Sequence, residues 1–210
     1  MNGSGHDDPV VFLVDDSADV REGLKALLES VGLRCRVFDS AREFLEEAPD
    51  SGPACLILDV RLRETSGLDV QAELARGRRN IPTIFITGHG DIPMTVRALK
   101  AGAVDFLTKP MREQDILEAV YGALEKDRAR LAAAHKTEEL LARYRTLSSR
   151  EREILPLITL GLLNKQIAHR VGLSEVTVKV HRHKLILKLQ AKNLPDLVRM
   201  ADELQMSREL

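Results

Sequence analysis

Tryptophan is absent from this 210-residue chain, and aromatic residues make up only 3% of it. That argues against an aromatic-lined ligand pocket and against a surface that stacks nucleobases on rings. Cysteine is almost as scarce. Cys35 and Cys55 each lie within an apolar, strand-like run and show no metal-ligand spacing, which predicts reduced core residues rather than a disulfide framework or a zinc site. No stretch approaches the roughly 18–20 apolar residues that a membrane-spanning helix needs, and the N-terminus lacks a signal-peptide pattern. The expectation is a cytoplasmic protein with no membrane partner. Internal repeats and low-complexity segments are also missing.

Net charge is nearly absent too, at −1, but that figure hides an asymmetry. Residues 1–123 carry 14 Lys+Arg against 21 Asp+Glu, residues 124–146 carry 6 against 4, and residues 147–210 carry 11 against 7. An acidic body joined to a basic tail suggests that only the tail meets a polyanion.

What is present is a repeating alternation of strand and helix signals. Val10–Val14, Cys35–Phe38, Ala54–Asp59, Pro82–Thr87 and Val104–Leu107 are short apolar runs. Helical spacing separates them, as in Val20, Leu24, Leu27, Leu28 and Val31, with Ser17 and Ser40 as expected helix caps. Pro49 is expected to break the second helix, Gly88-His89-Gly90 to turn after the fourth strand, and a helix to run from about Asp91 to Lys100. Strands and helices at this spacing imply βαβ units and a five-stranded, doubly wound parallel sheet. From Gln114 to Tyr144 the chain reads as a last helix extending into a helical linker. A solvated spacer is expected there rather than a coiled-coil seam, which Asp127 and Glu138 interrupt.

The tail reads as all-α. Ser148-Ser149-Arg150-Glu151 forms a capping box, and Pro156 should kink the helix that follows it. Asn164 is expected to cap the next helix, and Gly172 to turn into a third capped by Ser174. Two short helices around a glycine turn are a helix-turn-helix signal. The domains are therefore expected at 1–123, 124–146 and 147–210.

Chemistry concentrates at strand ends. Asp15 and Asp16 follow the first strand and Asp59 ends the third, so a doubly wound sheet brings them to one edge. Three carboxylates together repel unless a divalent cation sits among them, and few side-chain ligands with several waters suit Mg²⁺ (or Mn²⁺). Thr87 and Lys109 bring a hydroxyl and an ammonium to the same edge. The set forms a cradle for a phosphoryl group attacked in line by a carboxylate oxygen.

Asp15-Asp16-Ser17, Asp59, Thr87-Gly88 and Lys109-Pro110 resemble the signature of two-component receiver domains, whose sheet is flavodoxin-like. The resemblance covers residues 10–123. It implies Asp59 as phosphoacceptor, with Asp16, Asp59 and the Arg61 backbone carbonyl on the metal and Asp15 assisting through water. It further implies Thr87 and Phe106 as a switch pair, Gly88 and Lys109 beside the phosphoryl group, and a cis bond before Pro110. One departure stands out: the family usually has Pro-Gly after the position of Leu62, and this chain has Arg63-Glu64.

Residues 147–204 resemble the LuxR-type helix-turn-helix of NarL/FixJ regulators, carried by Leu147–Ile154, Asn164–Ala168, Ser174–His183 and Lys188-Leu189. On the helix after Ser174, Val178, Leu185 and Leu189 mark a buried stripe, with Lys179, Arg182 and His183 opposite. Such a face suits a major groove. The resemblance implies Lys179, Val180 and His183 at base edges and Thr177, Arg182 and Lys184 at phosphates; His181 is expected to pack internally.

These readings converge on a phosphorylation-dependent transcription regulator. Its partners would be a sensor histidine kinase, double-stranded promoter DNA and RNA polymerase, and it would dimerise on phosphorylation. It is expected not to be an enzyme beyond phosphoryl acceptance and autodephosphorylation. Two other classes compete. A Mg-dependent phosphatase would need a second catalytic carboxylate where Arg61 stands, and a substrate cap. A ligand-sensing LuxR-type regulator would have no use for the strand-end carboxylates.

Overall fold

A computed structural model describes residues 8–46, 52–77, 79–88 and 92–206. The chain divides into two compact units, Met1–Leu131 and Ala132–Leu210.

The first unit is built on strands β1 (Val10–Val14), β2 (Arg34–Phe38), β3 (Ala54–Asp59), β4 (Thr83–Thr87) and β5 (Asp105–Thr108). They form one parallel sheet in the order β2-β1-β3-β4-β5. The three central strands are buried along their whole length, which is why each reads as an unbroken apolar run rather than an alternating one. Side chains alternate between two cores: Leu56 and Leu58 face one layer with Phe12, Val70 and Phe85, while Cys55 and Ile57 face the other with Leu13, Ile84 and Ile116. The scarce aromatics are spent here. Phe12, Phe38 and Phe44 form a three-ring cluster with centroids 5.5–6.2 Å apart.

The connecting helices are α1 (Ala18–Ser30), α2 (Ala41–Glu46), α3 (Gly67–Arg76), α4 (Ile92–Lys100) and α5 (Glu113–Arg145). Ser17 holds the N-cap position of α1, its carbonyl accepting the Arg21 N–H at 3.1 Å, although its side chain makes no cap hydrogen bond. Its backbone N–H donates to Asp15 Oδ1 at 2.9 Å, so the residue serves the carboxylate as well as the helix. Ser40 does accept from the Glu43 N–H at 3.3 Å. The expectations for Pro49, for the His89-Gly90 part of the turn and for a helix start at Asp91 lie outside the described residues.

Helix α5 runs for 33 residues, and the division between the units falls inside it. It is not a solvated spacer throughout. Asp127 is buried, and its Oδ2 accepts the backbone N–H of Ala54 at 2.9 Å while Oδ1 accepts from Arg130 Nε at 2.7 Å. The carboxylate thus satisfies the first N–H of β3, which would otherwise be a buried orphan donor. Further along, Leu140 is buried in the core of the second unit.

That second unit contains α6 (Ser149–Thr159), α7 (Asn164–Val171), α8 (Glu175–Leu189) and α9 (Leu194–Met206). The capping box at α6 is complete: Ser148 Oγ accepts from the Glu151 N–H, and Glu151 Oε2 accepts from the Ser148 N–H at 2.8 Å. The same carboxylate takes a bond from Lys188 Nζ at 2.7 Å. Helix α6 continues through Pro156 to Thr159. Asn164 is not the cap of α7 but its first residue; Leu163 holds the cap position, its N–H donating to Gln166 Oε1 at 2.8 Å. Gly172 takes the left-handed conformation (φ 67°) that ends α7, a position where a side chain is strained. Ile154, Ile158, Ile167, Val178, Leu185, Leu189 and Leu197 close one core.

Candidate functional site

The sheet order reverses at β1, leaving a crevice beyond the carboxyl ends of β1 and β3, where open α/β sheets bind their ligands. Asp15 and Asp16 leave β1 there and Asp59 ends β3. Their carboxylate oxygens lie within 4.8 Å of one another. Lys109, just after β5, inserts between two of them, with Nζ 2.6 Å from Asp15 Oδ2 and 2.6 Å from Asp59 Oδ2. Burial pushes the Asp15 carboxyl above its ordinary range, against the pull of Lys109. Burial would lower the lysine, but bonds to the two carboxylates outweigh it and hold the ammonium above its usual range. An all-oxygen donor set with surplus negative charge fits a hard divalent cation.

The other strand-end residues surround this centre. Thr87 is fully buried at the end of β4, next to β3 in the sheet, and its carbonyl accepts the Lys109 N–H at 2.7 Å. Gly88 follows it, exposed. Phe106 lies opposite Phe85 on β5, partly buried against the aromatic core. The Lys109–Pro110 bond is cis. Arg61 donates its N–H to Asp59 Oδ1 at 2.9 Å and pairs in an antiparallel bridge with Ser66.

Two contributors were not legible from sequence, and a third, Arg63, stands out there only as a departure from the receiver pattern. A Cβ on Gly67 would lie 2.4 Å from the Asp59 carbonyl oxygen and 3.1 Å from both Leu58 and Phe85. Only glycine lets α3 start this close to the strand end; its place after a turn-prone run was the one available hint. Arg21 Nη1 donates to the Asp15 carbonyl at 2.6 Å. Arg63 Nε stands 3.3 Å from Asp16 Oδ2, so the residue that departs from the receiver pattern reaches the carboxylate cluster itself.

In the second unit, α7 and α8 form the helix-turn-helix. Ser174 Oγ accepts the Thr177 N–H at 3.1 Å, and Val178, Leu185 and Leu189 are buried as their spacing requires. Lys179, Val180, His183 and Lys184 are exposed. Two of the expected phosphate contacts have internal bonds. Thr177 Oγ1 is 2.7 Å from Ser174 Oγ, and Arg182 Nη1 donates to Asn164 Oδ1 at 3.2 Å, tying α8 to α7. His181 is half-buried, and its Nδ1 has no hydrogen-bond partner among the described residues.

Comparison with known proteins assigns both units. Residues 11–121 match the response regulator receiver domain, and residues 145–201 match the bacterial regulatory proteins of the luxR family. Nodulation protein W of Bradyrhizobium diazoefficiens is 50% identical over 198 residues, covering 94% of this chain and 87% of that protein. The transcriptional regulatory protein FixJ of Rhizobium meliloti is 43% identical, covering 92% and 95% respectively. The solved structure of the response regulator StyR superposes with a TM-score of 0.83 at 45% identity, covering 93% of this chain and 99% of that one. Receiver geometry at the sheet edge, a luxR-type helix-turn-helix in the tail and relatives spanning both place this chain in the NarL/FixJ family of two-component response regulators, as a DNA-binding transcription regulator.

Proposed function

We propose that Asp59 accepts a phosphoryl group from a sensor histidine kinase and that this event governs how tightly α8 binds promoter DNA. The observation that carries the reading is the shared lysine: Lys109 Nζ lies 2.6 Å from both Asp15 and Asp59, in a crevice with three convergent carboxylates. An Asp59 oxygen attacks phosphorus as the N–P bond of a phosphohistidine breaks, forming an acyl phosphate and returning the imidazole. Lys109 then exchanges its bond to Asp59 for a phosphoryl oxygen. Asp15, Asp16, Asp59 and the Arg61 carbonyl would hold Mg²⁺ or Mn²⁺, which when bound neutralises charge on the equatorial phosphoryl oxygens. Hydrolysis of the acyl phosphate resets the site; no other turnover is assigned to the chain.

Phosphorylation adds roughly −1.5 to −2 of charge at the sheet edge. The Thr87 hydroxyl moves to donate to a phosphoryl oxygen, and Phe106 turns into the space it leaves. The altered surface favours a homodimer, which raises the effective concentration of the second recognition helix on DNA. In that complex Lys179, Val180 and His183 meet base edges, while Thr177, Arg182 and Lys184 meet phosphates and RNA polymerase is recruited. Residues 1–123, 124–146 and 147–210 act as receiver, helical linker and DNA-binding domain.

Acetyl phosphate with Mg²⁺ tests this directly. Wild-type protein should gain one phosphoryl mass, shift towards dimer on size exclusion and bind a duplex selected from a random library more tightly. Asp59→Ala should do none of these. An Asp59→Ala protein that responded fully would refute the site assignment.

A further inference from the structure

The cations around the carboxylate cluster are unevenly divided. Lys109 is shared by Asp15 and Asp59, and Arg21 is spent on a backbone carbonyl. Asp16 has Arg63, at 3.3 Å. The loop brings the two residues within reach of each other. The Arg61–Ser66 bridge pins its two ends, and the Gly67 N–H donates to the Val60 carbonyl at 2.9 Å, closing it against β3. Residues 62–65 are left as a short excursion from which Arg63 extends across the crevice mouth. The Arg63 side chain is 79% exposed and that of Asp16 is 29% exposed, so the pair sits at the rim, open to exchange.

We propose that Arg63 is a tethered counter-cation that competes with the divalent metal for Asp16, and so sets the metal concentration at which this receiver can be phosphorylated. This rests on the phosphoacceptor reading above, in which Asp16 is a metal ligand. Without metal, Arg63 offsets part of the repulsion among three carboxylates. When the metal enters, the guanidinium must give up Asp16 and return to solvent, and it then stands as a like charge beside the incoming ion. Both effects weaken metal binding. The pair is exposed, so the penalty is modest, and screening by salt should reduce it further. A Pro-Gly pair at this place in the loop carries no such competitor.

Direct metal binding tests the proposal without reference to activity. Mg²⁺ affinity measured calorimetrically in low salt should tighten by about two- to fivefold in Arg63→Ala and in Arg63→Gln, the size expected from removing one exposed ion pair. Arg63→Lys should stay nearer to wild type, and the gain of Arg63→Ala should shrink in half-molar salt. The direction is diagnostic, because a loop merely damaged by substitution binds metal more weakly, not more tightly. In ¹⁵N spectra of wild-type protein, the Arg63 Nε–H resonance should shift as Mg²⁺ is titrated in. Equal affinities for wild type and Arg63→Ala, or weaker binding by the variant, would overturn the competitor role while leaving the phosphoacceptor reading intact. Absence of binding by wild type and variants alike would overturn that reading and the proposal with it. Asp16→Asn checks the ligand role on which the proposal rests: it should lose metal binding whether or not Arg63 competes, and retained binding would overturn the proposal.

Discussion

The two ends of this protein carry their chemistry in opposite ways. At the sheet edge, Asp15, Asp16, Asp59, Thr87 and Lys109 come from four strand ends spread over 95 positions, and they are mostly buried and already paired. On α8 the proposed DNA contacts are near neighbours in sequence between Thr177 and Lys184; Lys179, Val180, His183 and Lys184 are exposed, with the buried stripe behind them. The first site is made by the fold; the second is displayed on it. Damage to the framework should therefore abolish the first site's geometry, whereas substitutions at the second should alter binding and leave the framework alone.

The sharpest test of that contrast is the double substitution Lys179→Ala with His183→Ala. A well-made base contact is worth about 1–3 kcal/mol, so if both residues read bases as proposed, the pair should nearly eliminate preference for a selected duplex. Unfolding of the tail should change by no more than about 0.5 kcal/mol, as for exposed positions generally. Fluorescence anisotropy and urea denaturation provide the two readouts, and a large loss of stability would break the distinction.

Gly67→Ala should behave the other way. It introduces a Cβ 2.4 Å from a backbone oxygen, and overpacking of this kind costs about 1–3 kcal/mol. Receiver stability and Mg²⁺ binding should fall together, while the tail's affinity for DNA in the unphosphorylated protein stays unchanged. Hydrogen exchange, resolved by segment, separates the two units. If β3 and α3 were unperturbed, the site would depend less on close packing than its geometry implies.

The smallest effect is one of sign. Burial opposes ionisation of Glu151, but bonds from Lys188 and Ser148 prevail and hold its carboxyl below the usual range. Its stabilising contribution is present above the unfolded-state value and is lost as pH falls through the folded one. Asp15 is shifted upward by burial, so its ionisation costs stability as pH rises from the unfolded-state value through the folded one. Acidification across the carboxylate range should weaken the tail through Glu151 and ease the receiver through Asp15. Glu151→Gln should flatten the tail's pH dependence, and Asp15→Asn the receiver's, in segment-resolved exchange from pH 7 to 4.

Legibility follows the same division. The strands and the convergent carboxylates could be read because burial of the central strands on both faces leaves continuous apolar runs that stop at polar residues. The recognition helix could be read because its evidence is local: a cap, a stripe and the opposite face. Pairings across the fold were not readable. Asp127 looks like a break in an apolar seam, and it acquires meaning only when Ala54, 73 positions earlier, is set beside it. Ser17 looks like a cap and holds that position, but its side chain makes no cap bond and its N–H serves Asp15. Asn164 looks like one too, until Leu163 occupies that place and Arg182 binds the asparagine. Local patterns state what a residue is able to do; the fold decides which of its abilities is used.

The pinned loop after β3 has a consequence for how such regulators diversify. Its ends are fastened by backbone bonds from Arg61, Ser66 and Gly67 and Leu62 packs against the core, so the identities of residues 63–65 are the ones largely released from maintaining the strand beneath them. The proposed acceptor site can be inherited unchanged while those three positions drift, a change at Arg63 altering the ionic threshold at which a signal registers. Two paralogues in one cell would then answer the same phosphodonor at different set-points without any change to the residues that perform the transfer.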